Sequence, residues 1–114
     1  MMRVALGAAV WVAVCGLAAA TVQAAEVAAP APAGSPSIEA GRRAYTATCA
    51  RCHGINLESS SSAFFDLRTF PMAEKARFIE SVTNGKRQMP AWGGVVKPEM
   101  IESIWMYVGS VNGW

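Results

Sequence analysis

Hydrophobic residues are distributed unevenly along the 114-residue chain. After a positive start at Arg3, residues 4–20 form a nearly continuous apolar run, and Val22 and Ala24 occupy the small-residue positions of a cleavage site. This pattern predicts a secretory signal peptide over residues 1–24. An uncleaved N-terminal anchor is the alternative, although the apolar run is slightly short for a helix that spans a membrane.

The segment that follows, residues 25–35, is rich in alanine and proline and offers almost nothing to bury. Such a composition predicts a flexible or polyproline-like linker. The folded domain is therefore expected over residues 36–114, which is about 80 residues. A chain this short builds only a marginal core unless a cross-link or a bound group completes it.

Three stretches of this domain have the apolar spacing of helices. Ser35 as N-cap and Pro36 in the first turn predict a helix that runs to about Thr48. A second helix is expected over residues 72–83 and a last one over residues 98–110, where apolar residues recur every three or four positions. No stretch alternates as a strand does, so the predicted fold class is all-α, with three main helices.

Two long loops, residues 54–69 and 86–97, connect these helices. Loops of this length are unusual in so small a domain unless a bound group packs beneath them. In the first loop, Phe64, Phe65 and Leu67 are the expected apolar anchors.

The charge of the chain excludes one large class of partner. The formal net charge is +2, and it falls to +1 when the signal peptide leaves with Arg3. A protein that binds nucleic acid would be strongly and locally basic. No nucleic-acid partner is therefore expected.

The run Cys49-Ala50-Arg51-Cys52-His53 carries the candidate chemistry. Two thiols three positions apart lie on one side of a helical turn, where each can form a thioether with a vinyl group of haem. The histidine that follows can supply an axial nitrogen to the iron. The motif predicts one haem c, bound covalently through Cys49 and Cys52, with His53 as an axial ligand.

Other uses of the motif are less consistent with the rest of the chain. A thioredoxin-like redox pair would need a βαβ context, and a zinc site would need four ligands. A structural disulfide between Cys49 and Cys52 would leave His53 unexplained. Cys15 is expected to leave with the signal peptide, since Val14 is too bulky for a lipoprotein cleavage site.

The second axial ligand is expected to be a methionine, because the exported chain has no second histidine. Met89 lies on the second long loop beside Pro90, which biases the preceding residue to an extended backbone. Met100 and Met106 lie on the last helix and are expected to pack, and Met72 follows the haem motif too closely. Two filled axial positions leave no place for a substrate, and a soft thioether favours Fe(II), which suits electron transfer.

On these residues the chain resembles the class I c-type cytochromes. Gly41 and Tyr45 in the first helix are similar to the glycine and aromatic residue at which the first helix of that family crosses the last helix. Ile104 and Tyr107 stand at the positions of their partners on the last helix. The resemblance covers about residues 38–108. It implies the small helical cytochrome c fold, with long loops wrapped around one haem, and one-electron carriage in the periplasm.

The Met89-Pro90 pair resembles the distal methionine loop of this family, but one position departs from the family pattern. The family often has a proline in the loop after the haem motif, whose carbonyl orients the axial histidine. Phe65 is the equivalent here. We expect its carbonyl to accept the hydrogen bond from His53, in a loop with less constraint.

A weaker likeness concerns partners. Residues 66–68, 82–85 and 89–92 are similar to cytochromes that serve periplasmic quinoprotein alcohol dehydrogenases. The expected partners are periplasmic redox proteins, with a dehydrogenase as donor and an oxidase or another cytochrome as acceptor. Lys86, Arg87 and Lys97 could guide such a partner or form an ordinary solvated face.

Two further hypotheses remain open. An open-iron haem protein with ligand-sensing or peroxidase-like activity would need a weak or absent Met89 ligand, and the sequence offers no distal histidine and arginine pair for acid–base chemistry. A membrane-tethered subunit would keep residues 1–24 as an anchor and use residues 25–35 as a leash.

Overall fold

The computed structural model describes residues 34–114. The predicted signal peptide, Cys15 and residues 25–33 of the predicted linker lie outside this range. From Gly34 to the C-terminus, none of the helices has the length and apolar content that a membrane crossing requires.

Four α-helices form the frame of the domain: α1, Ile38–Thr48; α2, Ala50–His53; α3, Lys75–Asn84; and α4, Pro98–Asn112. Single turns of 3-10 helix lie in the connections, at Ile55–Leu57, Leu67–Thr69 and Met72–Glu74. In the part of the chain that the structure describes, β-structure is limited to one isolated bridge between Lys86 and Met89. The all-α prediction is confirmed, and the short α2 adds a fourth helix to the three expected.

The first helix begins two residues later than predicted. Ser37, not Ser35, is its N-cap, and the Ser37 hydroxyl accepts a hydrogen bond from the Ala40 N–H at 3.2 Å. The Ser37 N–H also donates to the Ser103 hydroxyl on α4 at 3.2 Å. This contact between distant parts of the chain fixes the start of α1 in a way that the local Ser-Pro pattern does not reveal.

The other two helices also differ from their predicted limits. Residues 72–74 form a 3-10 turn, so α3 begins at Lys75 rather than Met72. Helix α4 continues past Ser110 to Asn112, whose side-chain amide donates to the Leu67 carbonyl at 2.9 Å. This bond ties the end of α4 to the loop after the haem motif.

Helices α1 and α4 make the most extensive contact in the domain, and Gly41 lies where they cross. A Cβ atom on Gly41 would lie 1.8 Å from the Ser103 carbonyl oxygen. One turn further along, the rings of Tyr45 and Tyr107 pack with their centroids 5.3 Å apart. The resemblance implied that Gly41 lies against the last helix, and this expectation is confirmed.

Replacing Gly41 with alanine is therefore expected to destabilise the domain. Alanine would gain about 1 kcal/mol of helix propensity, but its methyl group would meet backbone atoms that have no alternative rotamer. Overpacking typically costs about 1–3 kcal/mol, and more where nothing can relax. We expect a net loss of about 2 kcal/mol in the free energy of unfolding, measured by guanidinium denaturation of the haem-loaded protein.

Gly94→Ala is the matched control for this substitution. A Cβ atom on Gly94 would meet nothing within 4 Å, so the free energy of unfolding is expected to stay within about 0.5 kcal/mol of wild type. Equal stability of the two variants would show that α1 and α4 do not cross as described.

An aromatic cluster fills the other side of α4 and anchors the loop after the haem motif. Phe70 meets Phe78 and Trp105 edge to face, at centroid distances of 5.6 and 6.0 Å. Of the three predicted loop anchors, Leu67 is buried in the core and Phe64 is half-buried beside the His53 ring, at a centroid distance of 6.5 Å. Phe65 packs edge to face on Phe70 at 5.9 Å but remains 50% exposed. Leu67 and Phe70 therefore anchor the loop in the core, and the expectation that Phe65 is withdrawn from water is wrong.

Candidate cofactor site

The haem motif lies where α1 passes into α2. Cys49 ends α1 and begins α2, and its carbonyl accepts hydrogen bonds from the N–H groups of Cys52 at 3.1 Å and His53 at 2.9 Å. The three side chains that the motif predicted as functional therefore belong to one short turn. The backbone forms the helical turn that the three-residue spacing of the two thiols predicts.

Both thiols of the motif are free and half-buried. Burial raises the pKa of the Cys49 thiol to about 11, and the neighbouring Cys52 adds to the rise. The reactive cysteine of a thioredoxin-like pair has a lowered pKa, so the environment of Cys49 is the opposite of the one that this alternative requires.

Between residues 34 and 114, no three side chains among the histidines, cysteines, aspartates and glutamates are grouped so as to hold a metal ion.

One ring nitrogen of His53 is already engaged. The Nδ1 atom lies 2.9 Å from the carbonyl oxygen of Phe65. A carbonyl can only accept, so Nδ1 carries the proton and donates, and Nε2 is the nitrogen whose lone pair can bind iron. The expected hydrogen bond to the Phe65 carbonyl is present despite the absence of proline at that position.

Two features that support the haem motif were not predicted from the sequence, a hydrogen bond of Tyr45 and the burial of Leu57. The Tyr45 hydroxyl donates to the Gly54 carbonyl at 2.7 Å, which fastens the end of α2 to α1. Leu57 is fully buried although its φ is +68°. A bulky residue in this conformation stores about 1–3 kcal/mol of strain. The apolar character of Leu57 in a mostly polar stretch was its only sequence signal.

Met89 lies on a different element, the loop after α3. Lys86 and Met89 exchange two backbone hydrogen bonds of 3.0 Å each, which closes a tight turn whose residue Arg87 has a φ of +56°. The Met89 side chain is half-buried. The structure thus holds Met89 at a defined turn, well separated along the chain from the haem motif.

The loop that carries Met89 is fastened to the end of α3. The N–H of Trp92 donates to the Val82 carbonyl at 2.9 Å, and the N–H of Gly93 donates to the Thr83 carbonyl at 3.1 Å. Gly85 has a φ of +78°, and a Cβ atom there would lie 2.8 Å from the Met89 carbonyl oxygen. These contacts leave the backbone around Met89 little freedom to move.

The donor atoms on these elements fit haem c. Two thiols on one turn can form the two thioethers, the imidazole has Nε2 free to bind iron, and a methionine thioether is available on a constrained loop. His53 Nδ1 bonded to a backbone carbonyl is the arrangement that orients a ligating histidine. The residues present are therefore those that a His/Met-ligated haem would use.

Among the described residues, three basic side chains close in sequence to these candidate ligands have no ion-pair partner. Among residues 34–114, six ion pairs neutralise most charged groups, including the Arg42–Glu39 and Lys75–Glu102 pairs. Arg51, Lys86 and Arg87 take part in none of the six. Arg51 lies inside the haem motif, and Lys86 and Arg87 shortly precede Met89, so cations without an ion pair adjoin both groups of candidate ligands in sequence.

Comparison with known proteins gives a consistent picture. The model of the family described as cytochrome C oxidase, cbb3-type, subunit III matches residues 36–108. The chain is 39% identical over 82 residues to cytochrome c6 of Nostoc sp., which covers 65% of this chain and 74% of that protein. Cytochrome c6 of Rippkaea orientalis is 41% identical over 83 residues, covering 69% and 73%.

A second kind of relative is longer. The cbb3-type cytochrome c oxidase subunit CcoP of Azospirillum brasilense is 30% identical to this chain over 84 residues. The match covers 66% of this chain and 28% of that subunit. The similarity to the oxidase subunit is thus limited to one domain-sized part of it.

Proposed function

The chain belongs to the class I c-type cytochromes and is a haem c electron carrier, and on that basis we propose that it works with one haem bound covalently through Cys49 and Cys52. The observation that carries this proposal is the turn that joins both thiols to His53. The carbonyl of Phe65, in the loop after this turn, orients the His53 ring through a contact of 2.9 Å to Nδ1.

The proposed axial ligands are His53 and Met89. His53 would bind iron through Nε2, since Nδ1 is committed to the Phe65 carbonyl. Met89 is supported by its position on a loop that the turn at Lys86 and the bonds to the end of α3 both constrain. When bound, haem supplies an iron that takes up or releases one electron. The task of the two side chains is to hold that iron in one geometry through both oxidation states.

We propose that the protein acts in the periplasm between other redox proteins. The sequence of residues 1–24 supports export. An intact mass of the purified protein that corresponds to an N-terminus at Ala25 would support removal of the signal peptide. Retention of residues 1–24 would instead favour the membrane-tethered subunit. The relatives that are oxidase subunits support an oxidase or a cytochrome as the acceptor. A periplasmic dehydrogenase is the proposed donor.

The charges beside the candidate ligands support an acidic partner surface. Arg51, Lys86 and Arg87 would attract carboxylate groups, and such charge complementarity mainly raises the rate of encounter.

Membrane association is proposed only for the form that keeps its N-terminal segment.

A redox titration of the exported, purified protein tests the proposed function. We expect each chain to take up one electron and release it reversibly, and the reduced protein to leave carbon monoxide unbound, because both axial positions are filled. Rapid, stoichiometric binding of carbon monoxide by the reduced protein would contradict this proposal. That result would favour the open-iron haem protein instead.

A further inference from the structure

The carbonyl that orients His53 is not free to turn by itself. The Phe65 carbonyl and the backbone nitrogen of Asp66 belong to one planar peptide unit. Whatever fixes Asp66 therefore also fixes the oxygen that accepts the His53 Nδ1–H at 2.9 Å. The contacts of Asp66 consequently bear on the histidine.

Asp66 is held through both its side chain and its backbone. Its carboxylate accepts from the Arg68 N–H at 3.0 Å, from Arg68 Nε at 3.0 Å and from Arg68 Nη2 at 2.6 Å. Its own carbonyl accepts from the Thr69 hydroxyl at 2.8 Å and the Thr69 N–H at 3.1 Å. The Arg68 guanidinium beside it holds the pKa of the Asp66 carboxyl below its usual range. The carboxylate that makes these bonds is thus present at neutral pH.

The residues around Asp66 are tied to the core. Leu67 and Phe70 are buried, and the Leu67 carbonyl accepts from the Asn112 side chain at 2.9 Å. The Phe65 ring packs edge to face on Phe70. The Asp66–Arg68 pair itself lies at the surface, with Arg68 47% exposed. Such pairs contribute little to stability, so a role in orienting the histidine can be measured separately from folding.

We propose that Asp66 and Arg68 are positioning residues that hold the Phe65 carbonyl on His53 and so strengthen the imidazole as an electron donor to the iron. This inference rests on the proposed function, in which His53 binds the haem iron. A hydrogen bond from Nδ1–H leaves more negative charge on the ring and makes it a more basic ligand. An imidazole that donates more electron density to the iron favours Fe(III). Weakening the hydrogen bond from His53 Nδ1–H to the Phe65 carbonyl therefore favours Fe(II).

Substitutions of the pair test this proposal, with two readouts on the haem-loaded protein. In Asp66→Ala, we expect the His53 Nδ1–H to exchange with solvent on the order of tenfold faster by proton NMR of the reduced form. The ratio of reduced to oxidised protein at a fixed ambient potential should rise by about threefold or more. Arg68→Ala should shift both readouts in the same direction.

The two variants separate positioning from simple charge. Loss of the Arg68 cation would by itself favour Fe(III), whereas loss of positioning favours Fe(II). Glu39→Ala is the matched control, because Glu39 is an exposed carboxylate on α1 that also pairs with arginines, Arg42 and Arg43. Both readouts of this control should remain within about twofold of wild type.

The proposal would be overturned if Asp66→Ala and Glu39→Ala gave the same Nδ1–H exchange rate and the same ratio of reduced to oxidised protein. A ratio that moved toward the oxidised form in Arg68→Ala would overturn it as well. Faster exchange with an unchanged redox ratio would overturn it too, since the hydrogen bond would then not affect the iron. Failure of the proposed function gives a different result. In that case wild-type protein itself lacks covalent haem or low-spin iron, and both proposals fall together.

Discussion

Protein that carries both Cys49→Ala and Cys52→Ala is expected to be recovered from the periplasm without covalently bound haem. Each thioether needs one thiol, and both thiols lie on the turn capped by the Cys49 carbonyl. The intact mass of the denatured wild-type protein should exceed that of the polypeptide by one haem, and the excess should vanish in the double variant. Each single variant can keep at most one thioether.

Cys15→Ala is the control for this experiment. Cys15 lies in the predicted signal peptide, so its replacement should leave the mass of mature, haem-loaded protein unchanged. A double variant that retained the mass of one haem after acidified-acetone extraction would contradict covalent attachment through Cys49 and Cys52.

Met89→Ala is expected to open one axial position of the iron. The alanine has no donor atom, so the reduced variant should become high-spin and bind carbon monoxide. The reduction potential should fall by on the order of 0.1 V, because the soft thioether that favours Fe(II) is lost; axial ligands set haem potentials over about 0.8 V. Optical spectroscopy and redox titration of the purified variant measure both effects.

Met106→Ala and Met72→Ala are the matched controls for Met89. Both side chains are exposed, Met106 by 40% on α4 and Met72 by 60% before α3. Neither substitution should change the spin state or the potential. A Met89→Ala protein that stayed low-spin while one of these variants became high-spin would assign the sixth ligand to the other methionine.

Local features of the sequence predicted the parts of this molecule that depend on neighbouring residues. The haem motif is contiguous, so its two thiols and its histidine could be predicted as haem-binding residues from their spacing, and the structure places all three on one turn. Gly41 could be predicted as a contact site because a glycine inside a helix is costly unless another element approaches. The structure shows the reason, a Ser103 carbonyl that leaves no room for a Cβ atom.

Features that depend on distant contacts were out of reach. The start of α1 at Ser37 is fixed by Ser103 on α4, so the local preference for Ser35 was misleading. The bond from the Tyr45 hydroxyl to the Gly54 carbonyl has no sequence signature, since any buried tyrosine could find another acceptor. Met89 could be selected only from its place on a loop beside Pro90 and by comparison with three other methionines, because its position relative to the histidine is set by the packing of the whole chain.

The electronic absorption spectrum of wild-type protein, matured in a periplasm with haem-attachment machinery and recorded oxidised and reduced, is the most direct test of the account. Ligation by His53 and Met89 predicts a low-spin c-type spectrum with a weak far-red sulfur-to-iron band in the oxidised form. A high-spin spectrum without that band would mean an open iron. It would contradict the assignment of this chain as an electron carrier ligated by His53 and Met89.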